Sequence, residues 1–145
     1  MQVQVEVVHD ASEVIEAFRA LLPQLSKSAP PLDEEHLVSV LTCPTNTVFL
    51  VRRDGAVVGT LTLVVFPVLT GVRATIEDVV VDEAARGQGV SAALTQAAPD
   101  LARARGAKTV DLTSRPSREA AHRLYSGSGS RFATRKSTKS LPGST

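Results

Sequence analysis

The chain has 145 residues, 43% of them hydrophobic, which suits one globular domain long enough to bury roughly two thirds of its unfolded surface. Aromatic residues make up 3% and tryptophan is absent, so a core of Val, Leu, Ala and Ile is expected and base-stacking platforms for single-stranded nucleic acid are not. Lys and Arg total 16 against 15 Asp and Glu, a net charge of +1 that hides a basic C-terminal stretch.

Residues 2–8 alternate polar side chains with Val3, Val5 and Val7, the period of a half-buried strand that opens a sheet. Asp10 or Ser12 then caps a helix whose Val14, Ile15, Phe18, Leu21, Leu22 and Leu25 recur at helical spacing, with Pro23 marking its last turn. Residues 26–32, with Pro30 and Pro31, are excluded from helix, and Asp33 begins a second short helix through Leu37, Val40 and Leu41. Residues 47–53 and 56–66 read as strands joined by Asp54-Gly55, a hairpin signal because both residues tolerate positive φ. Pro67 is expected to end the second strand, Thr70-Gly71 to turn the chain, and residues 73–81 to return as a strand.

An alanine-rich helix follows, carrying Ala92, Ala93, Leu94, Ala97, Ala98, Leu101 and Ala102. Pro99 predicts a kink within it and Gly106 its C-terminal cap. Residues 108–113 form the next strand, so two parallel strands flank a crossover helix, an α/β arrangement in which ligands bind where neighbouring strands diverge. A helix over about residues 117–125 and an edge strand over 132–139 complete the reading. Residues 1–140 are expected to form one domain and 141–145 to fray.

The stretch ATIEDVVVDEAARGQGVS, residues 74–91, organises the rest. Ile76, Val79, Val80 and Val81 have the composition of a strand buried on both faces. Glu77 and Asp78 interrupt it, and a carboxylate inside an apolar strand needs a partner or a cavity. Regular alternation places the two on opposite faces of the sheet, so one is free for chemistry while the other pairs structurally. Arg86, Gly87, Gln88, Gly89, Val90 and Ser91 then open the helix with two positions free of side chains, where backbone N–H groups can approach a phosphate or pyrophosphate. Neither a Walker Lys-Ser/Thr pair nor a three-glycine dinucleotide fingerprint is present.

This stretch resembles motif A of the GNAT acyltransferases, in which R/Q-x-x-G-x-G/A binds the pyrophosphate of acetyl-CoA; Arg86, Gly89 and Ser91 fill its three positions. A second motif, A-x-x-L-Y, is matched by Ala121, Leu124 and Tyr125, after which SGSGSRF resembles the family loop with two extra residues. The resemblance implies the GNAT fold: a mixed, mostly antiparallel sheet of about six to seven strands, its central parallel pair splayed for CoA, flanked by about four helices. It implies acetyl-CoA as cosubstrate and direct transfer of acetyl to a primary amine of a small molecule or peptide. Tyr125 is then the general acid, a phenol able to protonate the departing thiolate, and Glu77 the general base, its pKa raised by burial and acting directly or through water. The backbone of Val79, Val80 and Val81 would meet the thioester and the pantetheine arm, and Arg118 or Arg123 the remaining phosphates. Lys27, Ser28 and His36 become acceptor contacts, and dimerisation through the sheet edge or last strands is common in such proteins. The sequence IEDVVV is especially similar to glucosamine-6-phosphate N-acetyltransferases, a match too short to carry their sugar specificity.

A second reading is a weakly catalytic acyl-CoA-binding module, motivated by the SGSGSR segment. A nucleic-acid binder, motivated by the run of Arg and Lys from Arg115 to Lys139, ranks below both. His9, His36 and His122 are scattered, so no metal is expected. Cys43 is alone, which excludes an internal disulfide and reads as a packed thiol of a reducing compartment. With no leader-like run and no bilayer-length apolar stretch, a soluble cytoplasmic protein is expected.

Overall fold

The computed structural model describes residues 3–28, 30–112 and 133–136. Their order is β1 (Val3–Val7), α1 (Ala11–Leu25), α2 (Glu34–Thr42), β2 (Asn46–Arg53), β3 (Ala56–Val68), β4 (Gly71–Val81), a 3-10 turn (Glu83–Ala85), α3 (Val90–Ala104), β5 (Thr109–Leu112) and β6 (Ala133–Lys136). The six strands form one sheet in the order β1-β2-β3-β4-β5-β6. The first four are antiparallel neighbours, and β4, β5 and β6 run parallel. This is the α/β architecture with a mixed sheet expected from the sequence, and β6 is the expected edge strand.

Local chemistry accounts for most boundaries. Asp10, rather than Ser12, caps α1: its Oδ1 accepts from both the N–H and the hydroxyl of Ser12, at 2.9 and 2.7 Å. Asp33 caps α2 in the same way, accepting from the His36 N–H at 2.7 Å. Asp54 and Gly55, with φ of 51° and 89°, make the tight β2–β3 turn. Gly106 closes α3: its N–H reaches the Arg103 carbonyl and that of Ala107 the Ala102 carbonyl, the paired bonds of a Schellman end.

One expectation requires correction. β3 does not stop at Pro67 but pairs through it, Pro67 opposite Val72 and Val68 opposite Gly71. The Val65 N–H bonds to Thr45 on the β2 side, so residue 67 also directs its nitrogen to that side, where β2 has already ended. The missing proline N–H therefore breaks no ladder bond. The helix expected to carry Pro99 is α3, whose span includes that buried proline although it supplies no N–H to the Thr95 carbonyl. The predicted helix over residues 117–125, the SGSGSR segment and residues 141–145 lie outside the described residues.

The sheet separates two apolar clusters. On one face α3 sets Val90, Leu94, Ala98 and Ala102 against Leu61, Leu63, Ile76 and Val110. On the other, α1 and α2 set Val14, Phe18, Leu21 and Leu37 against Val48, Leu50 and Val80. Glu83 N–H donates to Gln24 Oε1 at 3.0 Å, fixing the end of α1 to the turn that precedes the glycine-rich loop. Arg73 of β4 bonds Asp111 of β5 at 2.8 Å, joining the parallel pair near its start. No described helix is long and apolar enough to cross a membrane.

Close approach of α3 to the sheet depends on Gly59. A Cβ there would stand 3.0 Å from Val90 Cγ1 and 3.3 Å from the Val80 carbonyl oxygen, tighter than side chains ordinarily pack. Gly59→Ala is expected to lower stability by about 1–3 kcal/mol in denaturant unfolding. Adding Val90→Ala should recover part of that loss, giving a double-mutant cycle with a non-zero coupling; strictly additive changes would refute the contact.

Candidate active site

The β3–β4 ladder breaks where the acidic pair lies. Thr62 faces Glu77 and Thr60 faces Val80, so Asp78 and Val79 together stand opposite the single Leu61, a β-bulge. Asp78 adopts a φ of 51°, a left-handed conformation that Asp tolerates better than most residues. The extra residue reverses the side-chain alternation: Ile76 and Val79 both pack in the α3 cluster, whereas Val80 packs in the α1/α2 cluster.

Glu77 and Asp78 consequently do not lie on opposite faces. Asp78 lines a cavity of about 480 Å³ between the sheet and the two N-terminal helices, and the register sets Glu77 across from Thr62, which lines the same cavity. Glu77 is half-buried rather than enclosed, and Asp78 is exposed. Neither carboxylate makes a hydrogen bond or ion pair among the described residues. The sequence's demand for a partner or a cavity is thus met by a cavity.

Phe18, Leu22, Pro31, Leu32, Leu37 and Val40 supply the apolar wall of that space. Arg19 Nε donates to the Leu32 carbonyl at 2.7 Å, tying the proline-containing connection to α1. Of the three residues assigned to the acceptor by resemblance, His36 lines the cavity, while Lys27 and Ser28 do not.

Beyond Val81 the chain makes the 3-10 turn, capped by Asp82 Oδ1 on the Ala84 N–H at 3.1 Å, and enters the glycine-rich loop. Arg86 is exposed. Gly87 and Gly89 have φ of 79° and 83°, and a Cβ on either would meet no atom within 4 Å. Glycine is needed there for its backbone conformation, and the space around both positions is open. Gly89 ends in the N-cap position of α3 with no side-chain cap, leaving the first-turn N–H groups of Val90, Ser91 and their neighbours without a capping oxygen from that residue. Val90 is buried against the sheet, and the Ser91 hydroxyl and Gln88 Oε1 are buried polar atoms with no partner among the described residues. An open, uncapped helix N-terminus beside a buried hydroxyl without a partner fits an anionic group such as a pyrophosphate. Val81 is half-buried and pairs with Gly59.

Among the described residues β4 and β5 pair from Ala74↔Val110 to Ile76↔Leu112, the segment of β4 that leads into the bulge. Bulge and glycine loop then succeed one another along one run of chain. Tyr125, Arg118 and Arg123 lie outside the described residues.

Sequence reasoning missed the bulge, Thr60 and Thr62, and the part of the cavity wall that Phe18, Leu22, Leu37 and Val40 supply. Two adjacent acidic residues within a period-2 strand were the available signal for a parity change. Cys43 is half-buried rather than packed away; a hydrogen bond with the Thr45 hydroxyl at 3.3 Å and one to the Thr45 backbone hold its thiol below the usual pKa. It lies in a separate cavity with His9, Thr47 and Arg105.

The acetyltransferase (GNAT) family model matches residues 13–129. An acetyltransferase of Trypanosoma brucei is similar at 26% identity, with 97% of this chain and 100% of that chain covered and a TM-score of 0.73. A transcriptional regulator of Bacillus halodurans C-125 is similar at 24% identity, with 97% of each chain covered and a TM-score of 0.75. Glucosamine-6-phosphate N-acetyltransferase of Arabidopsis thaliana is similar at 20% identity, with 98% and 96% covered and a TM-score of 0.74. No curated protein matches the chain. On the strength of the family model and the shared fold, the chain belongs to the GNAT acetyltransferase family.

Proposed function

We propose that this chain is an acetyl-CoA-dependent N-acetyltransferase that transfers acetyl directly to a primary amine, in the cytoplasm. The observation that carries the reading is the β4 bulge at Asp78 and Val79, set immediately before an open, glycine-lined helix N-terminus. Acetyl-CoA supplies the activated acetyl thioester.

The backbone N–H groups from Gly87 to Ser91 hold the pyrophosphate, with the Arg86 guanidinium adding charge from the loop's exposed side. Val79, displaced from regular pairing by the bulge, offers its backbone N–H to the oxygen that gains negative charge as the amine nitrogen attacks. Val80 and Val81 continue the same strand alongside the pantetheine arm. Glu77, on the cavity face, takes the proton that the attacking nitrogen must lose, directly or through a water. Tyr125 returns a proton to the sulfur as the carbon–sulfur bond breaks, a role that rests on the A-x-x-L-Y resemblance. Arg118 is assigned to the remaining phosphates on the same basis.

Titration calorimetry with acetyl-CoA tests the cofactor half of this reading. The native chain should bind, and Arg86→Ala/Gly89→Glu, which places a carboxylate in the phosphate cradle, should weaken binding by about tenfold or more. Equal affinity in the variant would remove the loop from the site.

Turnover tests the chemical half. Tyr125→Phe and Glu77→Gln should each lower kcat by about a hundredfold or more while retaining acetyl-CoA binding; unchanged kcat in either variant would remove that residue from the chemistry. Acetyl-CoA binding without transfer to any amine would instead favour the weakly catalytic binding module.

A further inference from the structure

The described lining of the cavity under the bulge has a one-sided electrostatic character. Asp33, His36, Thr60, Thr62 and Asp78 are the polar residues of its described lining, and no Lys or Arg is among them. The Asp33 carboxylate already accepts the capping N–H of His36, whereas Asp78 has no hydrogen bond or ion pair among the described residues. The remaining wall is hydrocarbon, contributed by α1, α2 and the proline-containing connection between them.

We propose that the acceptor is a primary amine carried on an apolar body, its ammonium held by Asp78, and that phosphate-bearing amines are rejected. This rests on the acetyl-transfer reading above and specifies its acceptor. A cation gains a charge-assisted hydrogen bond at Asp78, and an alkyl or aryl group displaces water from Phe18, Leu22 and Leu37. A phosphorylated sugar meets the reverse: its dianion enters a space with two carboxylates and no described guanidinium or ammonium, and its hydroxyls face hydrocarbon. The short IEDVVV likeness to glucosamine-6-phosphate N-acetyltransferases therefore does not extend to the chemistry of this wall.

Asp78 is also suited to its role by position. The bulge turns it out of the ladder and onto the cavity face beside Glu77, so the residue that holds the ammonium adjoins the one that later accepts its proton. Thr60, whose hydroxyl donates to the Phe49 carbonyl at 2.8 Å, is tied to the sheet, and of the two carboxylates in the described lining it is Asp78, not the capping Asp33, that has no bond of its own.

Calorimetric titration of the full chain, with and without CoA, by 2-phenylethylamine, 2-phenylethanol, ethanolamine and glucosamine 6-phosphate tests this directly. 2-Phenylethylamine should bind about tenfold or more tightly than either ethanolamine, which lacks the apolar body, or 2-phenylethanol, which lacks the charge. Asp78→Asn, chosen because Asn tolerates the same left-handed backbone, should remove most of the preference for 2-phenylethylamine over 2-phenylethanol while leaving acetyl-CoA affinity and the unfolding midpoint near native values. Glucosamine 6-phosphate binding as tightly as 2-phenylethylamine, an Asp78→Asn affinity unchanged for the amine, or no amine binding at all would each overturn the proposal.

Acetyl transfer measured alongside separates the two readings. A chain that binds acetyl-CoA and acetylates glucosamine 6-phosphate in preference to 2-phenylethylamine remains an N-acetyltransferase but has a different acceptor. A chain that binds 2-phenylethylamine through Asp78 yet transfers no acetyl keeps the pocket assignment and loses the enzymatic one.

Discussion

An antiparallel ladder that gains one residue on one strand must turn a side chain to the wrong face, and the break at Asp78 and Val79 uses that constraint. Without it, regular alternation from Ile76 would send Asp78 into the apolar cluster beneath α3, where a carboxylate has no partner. With it, Val79 fills that cluster and both acidic residues reach the opposite face. The left-handed backbone at Asp78 costs of order 1 kcal/mol, a small sum against burying a charge. The bulge thus reconciles a packed central strand with a polar site on the same strand.

The second requirement is that α3 begin close to the sheet. Gly59 removes the side chain that would collide with Val90, and the small Ala98 and Ala102 let the helix lie near β3 and β2. Because Val90 is seated, the loop before it must reverse sharply, which Gly87 and Gly89 do through positive φ. The uncapped helix end is therefore delivered to the end of β4 by packing, and the Gln24–Glu83 bond anchors the approach from the other face. Acetyltransferase family membership and the shared fold of the solved relatives agree with this arrangement.

Much of the fold was legible because its signals are local. Asp33 as a helix cap, Asp54-Gly55 as a tight turn, the β-branched run of β4 and the glycine loop each state their structure within a few residues. What escaped was non-local. Pro67 reads as a strand terminator unless the end of β2 opposite it is known. Glu77 and Asp78 read as opposed by period alone: their adjacency hints at a change of parity, but only the pairing with β3 shows that Leu61 faces two residues. The cavity wall joins α1, the 30–32 segment, α2 and β3, which only packing brings together. Gly59 likewise carries no local signal, because its reason is Val90, 31 positions away.

The central claim is that the bulged segment of β4 and the glycine-lined start of α3 form one continuous surface for an acyl-CoA. Titrating the ¹⁵N-labelled chain with acetyl-CoA while following its backbone amides by NMR tests it most directly. The account predicts that the Val79, Gly87, Gly89 and Ser91 amides shift together and saturate with one affinity, while Leu69 at the β3–β4 hairpin tip, at the opposite end of β4, stays in place. Shifts confined to other elements, or a Val79 amide that stays fixed while the loop responds, would contradict the claim.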